Sequence, residues 1–306
     1  MNWGLTLAAG VLVAPFLREA LRLRMGAAAR QSAPGDFAAL SQGVTHYRWQ
    51  GPENGSVVVL VHGLTTPSFV WQGVAEGLVQ QGYRVLSYDL YGRGFSDRPG
   101  GAQDRAFFLR QLEDLLKDQG VADGFTLVGY SMGGAISAAF AAANPGRVRR
   151  LILLAPAGTE PLLGRMARLV RAVPVLGDWL MQVSFPRAHR KGTEAERDLP
   201  TSVPGIVDLQ QAELRWRGFI PAVLSSLRHM LGQVQEDDHR AVAAAGLPVL
   251  AIWGAGDTVI PIRAKSALER WNPGAQHVVV AGAGHGVTYT HTGEVIAAMR
   301  AFLSES

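Results

Sequence analysis

The stretch LVGYSMGGAIS, residues 127–137, decides how the chain is read. An apolar run ends at Gly129-Tyr130, Ser131 follows, and Met132-Gly133-Gly134 open a series of small residues that continues as a helix. A serine between a buried strand and a helix, in the pattern Gly-x-Ser-x-Gly, fits a sharp turn that projects its hydroxyl. Gly129, Gly133 and Gly134 let the helix double back closely on the strand. The start of that helix also presents amide hydrogens to a negative oxygen. The pattern by itself could mark a tight turn and nothing more, so its weight comes from the flanking sequence.

Working outward, short apolar runs alternate with helical patterns. VTHYRWQ (44–50), SVVVLVH (56–62), YRVLSYD (83–89), GFTLVGY (124–130), VRRLILLAP (148–156), LPVLAIWG (247–254) and QHVVVAG (276–282) read as strands. Between them WQGVAEGLVQQG (71–82), RAFFLRQLEDLLKDQG (105–120), AKSALERW (264–271) and TGEVIAAMRAFL (292–303) read as helices. Buried strands alternating with helices predict an α/β fold whose sheet is mostly parallel and covered on both faces. Ligands on such sheets bind beyond the carboxyl ends of the strands. The loops at 62–70, 89–99, 129–133, 254–261 and 282–288 are therefore where chemistry is expected.

Two segments depart from this alternation. Residues 157–246 interrupt it after the sixth strand with helical patterns alone, which predicts a helical insertion, or lid, between core segments 36–156 and 247–306. Leu162, Leu163, Met166, Leu169, Val170 and Val173 share one helical face there, with Arg165, Arg168 and Arg171 largely elsewhere. SVPGIVDLQQAELRWRGF (202–219) and PAVLSSLRHMLGQV (221–234) read as two further helices. The insertion is either a small satellite core or a lid whose apolar underside forms the substrate pocket.

Residues 1–35 form an apolar and then basic segment. WGLTLAAGVLVAPFL (Trp3–Leu17) is uncharged, and Arg18, Arg22, Arg24 and Arg30 follow. About fifteen apolar residues fall short of the roughly 20 that span a bilayer. The charge order is also wrong for a secretory signal, and it favours keeping the following chain on the cytoplasmic side of a membrane. A membrane-associating anchor is expected, with an ordinary packed helix on a soluble cytoplasmic protein as the first alternative and the signal peptide of an exported one as the second.

Composition narrows the partners. The 306 residues are 48% hydrophobic and 18% charged, which fits an ordered globular chain. The net charge of +4 comes mainly from scattered arginines, without the dense basic run that nucleic acid demands. The chain has no cysteine, which excludes disulfides, thiolate metal sites and a cysteine nucleophile.

A serine hydroxyl needs a base and an orienting acid to become a nucleophile. His285 in AGAGHGV and Asp257 in IWGAGDTVIP each follow a strand, and the order Ser131, Asp257, His285 suits this sheet. Oxyanion donors are expected at the backbone N–H groups of Met132 and Leu64, the latter in HGLTTPSF. His62 is expected to brace that loop. His46, His189, His229, His239, His277 and His291 are expected to pack or face solvent, and His285 and His291 lack a third metal ligand.

VHGLTTPSFVW, YDLYGRGFSDRP, GYSMGG, GAGDTVIP and GAGHG together resemble the α/β-hydrolase superfamily. The likeness is strongest to its lidded members: esterases, monoacylglycerol lipases, carbon–carbon bond hydrolases and perhydrolases. It covers roughly residues 40–305 and implies an eight-stranded sheet. It also implies nucleophile Ser131, acid Asp257, base His285, oxyanion donors Leu64 and Met132, and a mainly structural role for Asp89, Arg93 and Ser96. Serine at 131 separates the chain from dehalogenase and epoxide-hydrolase relatives, which need aspartate there. Gly286 stands where carbon–carbon hydrolases often carry tryptophan.

The function expected is hydrolysis of a hydrophobic or acylglycerol-type ester without metal or organic cofactor. Carbon–carbon bond hydrolysis and perhydrolase or thioesterase chemistry are the enzymatic alternatives. A ligand receptor on the same fold is the non-enzymatic one.

Overall fold

The computed structural model describes residues 3–160, 170 and 172–305. Eight strands form one sheet: β1 (Asp36–Leu40), β2 (Gly43–Gln50), β3 (Val57–Val61), β4 (Arg84–Tyr88), β5 (Phe125–Tyr130), β6 (Val148–Leu154), β7 (Val249–Gly254) and β8 (Gln276–Val280). Their order is β1-β2-β4-β3-β5-β6-β7-β8. Strand β2 runs antiparallel to β1 and β4, and every pairing from β4 through to β8 is parallel.

Alternation along the central strands explains the two covered faces. Val59 and Val61 of β3, Leu127 of β5 and Leu151 and Leu153 of β6 turn to one core. Val58 and Leu60, Val128, Ile152 and Leu154 turn to the other. Such strands bury both sides and so read as continuous apolar runs. Helices α1 (Trp3–Ala20), α2 (Ala27–Arg30), α3 (Gln72–Val79), α4 (Arg105–Asp118) and α5 (Met132–Ala143) precede the insertion. Helices α4 and α5 close the first core with Leu112, Leu115, Ile136 and Ala139. The second is closed by α3 through Val74 and Leu78, and by the last helix of the chain (Thr292–Ser304) through Val295, Met299 and Phe302.

Strand β1 lies outside the expected set. DFAAL has little of the β-branched character that marks a strand, and it pairs with one neighbour only, at the edge. It forms because the two-residue link Ser41-Gln42 folds it back on β2, in register from Asp36↔Tyr47 to Leu40↔Gly43.

Between β6 and β7 run α6 (Leu176–Glu194), α7 (Ile206–Ala212), α8 (Phe219–Arg228) and α9 (Glu236–Ala244). Of the helical face expected from Leu162 to Val173, residues 162–169 lie outside the described residues, while Val170 is buried against Met181, Leu214, Phe219 and Val223 and Val173 is half-buried. The helix expected across 202–219 is shorter. Gly205 caps α7 in the left-handed region, and Glu213–Arg215 tightens to a 3-10 turn before Gly218 starts α8. The helix expected across 221–234 breaks likewise, with α8 ending at Arg228 and Met230–Gly232 forming a further 3-10 turn.

Helix α1 packs on α6, where the Trp179 indole N–H donates to the Val11 carbonyl at 3.3 Å. Beyond it, Glu19 accepts from the Gly218 amide at 2.6 Å, and Leu23 bridges to Trp216. The N-terminal segment is thus fastened chiefly to the insertion, while Arg30 ties it to Asp97 and the Phe95 carbonyl of the core. No helix of the described residues is long and apolar enough to cross a membrane. The last three helices are α10 (Lys265–Trp271), α11 (Val287–Thr290) and α12 (Thr292–Ser304).

Candidate active site

Ser131 sits between β5 and α5 with φ 54° and ψ −118°, a backbone conformation that a residue with a side chain holds only under constraint. The constraint is visible in its hydrogen bonds. Its N–H donates to the Leu154 carbonyl at 2.9 Å, and its own carbonyl accepts from Ala157 at 3.0 Å and from the Gly134 and Ala135 amides. Gly133 is required by close approach, since a β-carbon there would strike the carbonyl oxygens of Val61 and His62.

The hydroxyl that this turn projects lies 3.0 Å from His285 Nε2, and His285 Nδ1 lies 2.7 Å from Asp257 Oδ2. Asp257 Oδ1 accepts from the Val259 and Ile260 amides, both at 2.8 Å. Held on both oxygens and buried, the carboxylate takes the Nδ1 hydrogen and leaves Nε2 free to accept from Ser131. The Tyr130 hydroxyl donates to the His285 carbonyl at 3.0 Å, which pins the histidine loop from the strand below. Ser131 follows β5, Asp257 follows β7 and His285 follows β8, so all three converge at the carboxyl end of the sheet.

The loop after β3 reaches the same place. Gly63 lies directly against Ser131 and Tyr130, and the amides of Leu64 and Met132 donate to no acceptor among the described residues. Three side chains brace this loop. His62 accepts from the Leu90 amide at Nε2 and directs Nδ1 to the Gly63 carbonyl, 2.8 Å each. Complete burial holds its pKa down to about 4, so the ring is neutral. Arg93, also fully buried, donates to the Leu64 carbonyl at 3.0 Å. Asp89 accepts from Ser68 and Phe95 amides and pairs with His46 at 2.7 Å; burial opposes its charge, but these donors win and hold its pKa well below the usual carboxylate range.

Above Ser131 and His285 is a cavity of about 580 Å³. Leu64, Val259 and Ile260 of the core and Ala157, Ala188, Ala195 and Leu231 of the insertion give it mainly apolar walls. One edge is polar: Glu196, Gln210, His189 and Thr193 from the insertion meet Thr66 and Tyr289 from the core. The Tyr289 hydroxyl donates to Glu196 Oε2 at 2.5 Å, and Gln210 Nε2 donates to Thr66 at 3.0 Å. His189 gives Nε2–H to the Gln210 carbonyl at 3.0 Å and stacks on Phe185.

Every residue expected at the site is therefore in one place. The cavity edge was not expected. His189, taken as a packing residue, is buried but lines the cavity, and Tyr289 and Glu196 carry no sequence pattern. One signal did exist. Gly286 stands against the Tyr289 ring, where a β-carbon would come within 2.6 Å of the phenol carbon, so the missing tryptophan after His285 marks space that Tyr289 fills.

The sequence profile described as the alpha/beta hydrolase fold matches residues 56–292, and the chain belongs to that family. A pimeloyl-[acyl-carrier protein] methyl ester esterase of Aliivibrio fischeri is 25% identical over 273 residues, covering 85% of this chain and 98% of that protein. A 2-hydroxymuconate semialdehyde hydrolase of Pseudomonas putida is 28% identical over 233 residues, 73% of this chain and 78% of that one. Among solved structures, a membrane phospholipase A described as a bacterial virulence factor superposes with a TM-score of 0.73 at 22% identity. It covers 98% of this chain and 94% of its own, a likeness of fold.

Proposed function

We propose that the protein is a serine hydrolase that cleaves carboxylic esters through an acyl-enzyme on Ser131. The observation that carries this reading is the unbroken chain from Ser131 Oγ through His285 to Asp257 at the floor of the cavity. His285 Nε2 takes the hydroxyl proton as Oγ attacks the ester carbonyl. The resulting oxyanion settles on the Leu64 and Met132 amides, each such donor being worth about 3 kcal/mol. The imidazolium then protonates the departing alcohol, and water, deprotonated by the same nitrogen, releases the acid. The esterase relative supports ester chemistry.

The substrate class is a hydrophobic ester met at a membrane surface, with residues 157–246 acting as the lid. The mainly apolar cavity supports the first part. Helix α1 supports the second: Val11, Leu12, Val13 and Leu17 are each more than half exposed although the helix packs on α6, and the basic Arg18 follows directly in the sequence. Such a face suits peripheral docking on the cytoplasmic side. A second reading, carbon–carbon bond hydrolysis, has the 2-hydroxymuconate semialdehyde hydrolase in its favour.

Turnover of p-nitrophenyl esters graded by acyl length, set beside a vinylogous ring-fission substrate, separates the two. Ester turnover that Ser131→Ala abolishes is expected; turnover of the ring-fission substrate alone would contradict the proposal.

A further inference from the structure

Among the described residues, Glu196 is the one carboxylate that lines the cavity, and no arginine or lysine does so. Its neighbour Arg197 turns away to Glu194 and Asp208. The Tyr289 phenol spends its single hydrogen on Oε2, so the pair offers the cavity only acceptor capacity. Close by, the Gln210 side-chain oxygen is buried without a protein donor while its nitrogen serves Thr66. The second carboxylate oxygen of Glu196 has no donor among the described residues, and a free acceptor in a cavity wall asks for a donor from the ligand.

We infer, building on the ester-hydrolase reading above, that this edge is a substrate subsite: Glu196 accepts a hydrogen bond from a hydroxylated ester and turns away esters that carry a carboxylate. The attraction is a charge-assisted hydrogen bond in a partly desolvated wall, about twice as strong as a neutral one. The rejection is repulsion between two carboxylates in a cavity whose described lining holds no compensating cation. Tyr289 is a positioning residue. Its ring fills the space over Gly286, beside the catalytic loop, and its hydroxyl holds the Glu196 carboxylate at the cavity edge.

The test uses the full chain and three esters of one acyl length: 2-hydroxyethyl, propyl, and 2-carboxyethyl. Wild type is expected to prefer hydroxyethyl to propyl in kcat/KM, and Glu196→Ala to lower that ratio by about tenfold or more, as a site built to bond a hydroxyl does when the partner is lost. Glu196→Gln is expected to raise turnover of the carboxylate-bearing ester relative to propyl. Tyr289→Phe keeps the carboxylate and is expected to hold the hydroxyethyl-to-propyl ratio within about threefold. An unchanged ratio in Glu196→Ala, or a fall in Tyr289→Phe as large as in Glu196→Ala, would overturn the assignment. If Glu196→Ala does not fold, Glu196→Leu, which also removes the acceptor, carries the same comparison. A wild-type protein that turns over none of the esters would instead strike the ester-hydrolase reading on which the inference stands.

Discussion

Arg93 Nε donates to the Leu64 carbonyl at 3.0 Å, while Nη2 of the same guanidinium donates to the Ala222 carbonyl and the Ser226 hydroxyl of α8. One buried cation thus joins the proposed oxyanion loop to the insertion above it. Burial lowers its pKa to about 9, which still leaves it charged at neutral pH. Replacing Arg93 by methionine strands the Leu64 carbonyl and leaves the Tyr91 carbonyl and the Ser226 hydroxyl one donor short, a loss of about 3 kcal/mol that urea unfolding would register. Arg93→Lys should recover little, because an ammonium cannot reproduce the planar fork.

The serine turn makes a sharper claim. At Gly133 the obstructing atoms are backbone carbonyls of Val61 and His62, which have no freedom to move aside. Gly133→Ala should therefore displace α5 from β3, costing about 3 kcal/mol or more and removing Ser131 from His285. Thermal melting together with probe labelling checks both effects; a folded, fully labelled variant would refute the close-approach argument.

A third expectation concerns acid. The His239 ring is buried on Trp271, both its nitrogens lack partners, and burial pulls its pKa down to about 4. Between about pH 6.5 and pH 4 the unfolded chain binds a proton there that the folded chain refuses, so stability falls as pH drops through that window and levels off below it. The loss amounts to about 3 kcal/mol. His62 adds a second step of the same sign, and Glu213, raised to about 7 by burial, opposes both by losing stability as pH rises toward 7. Both of these are common to wild type and His239→Leu. The unfolding free energy of wild type minus that of His239→Leu, measured from pH 7.5 to 4, should therefore fall by up to that amount as pH falls.

Membrane docking is read from α1. Leu12 and Leu17 are 61% and 55% exposed, so aspartate at both should leave the fold intact. Each apolar side chain withdrawn from a bilayer forfeits roughly 1.5–3 kcal/mol, so the double variant should sediment with anionic lipid vesicles at least about tenfold more weakly than wild type. Equal sedimentation would argue that α1 serves only to pack on α6.

What was legible in the sequence was what local rules determine. Central strands carry their own apolar runs, and the elbow carries its glycines, so β3 to β8 and Ser131, Asp257 and His285 could be placed from the letters. Strand β1 could not, because DFAAL becomes a strand through its pairing with β2 and not through propensity. The breaks at Gly205 and Gly218 were hidden by helical periodicity that continues across them. The cavity edge was hidden for another reason. Glu196 and Tyr289 are 93 residues apart and meet only when α6 and the histidine loop pack over the sheet, a juxtaposition with no local signature.

The central claim is that Ser131 is activated by His285 and Asp257 for attack on an acyl carbonyl. Its most direct test is the intact mass of the protein after reaction with an alkyl-phosphonate ester probe, followed by peptide mapping. The account predicts one phosphonyl group per chain on the peptide containing Ser131, with none on Ser131→Ala and slowed labelling of His285→Ala. Labelling that persists on Ser131→Ala, or a wild-type chain that remains unmodified, would contradict it.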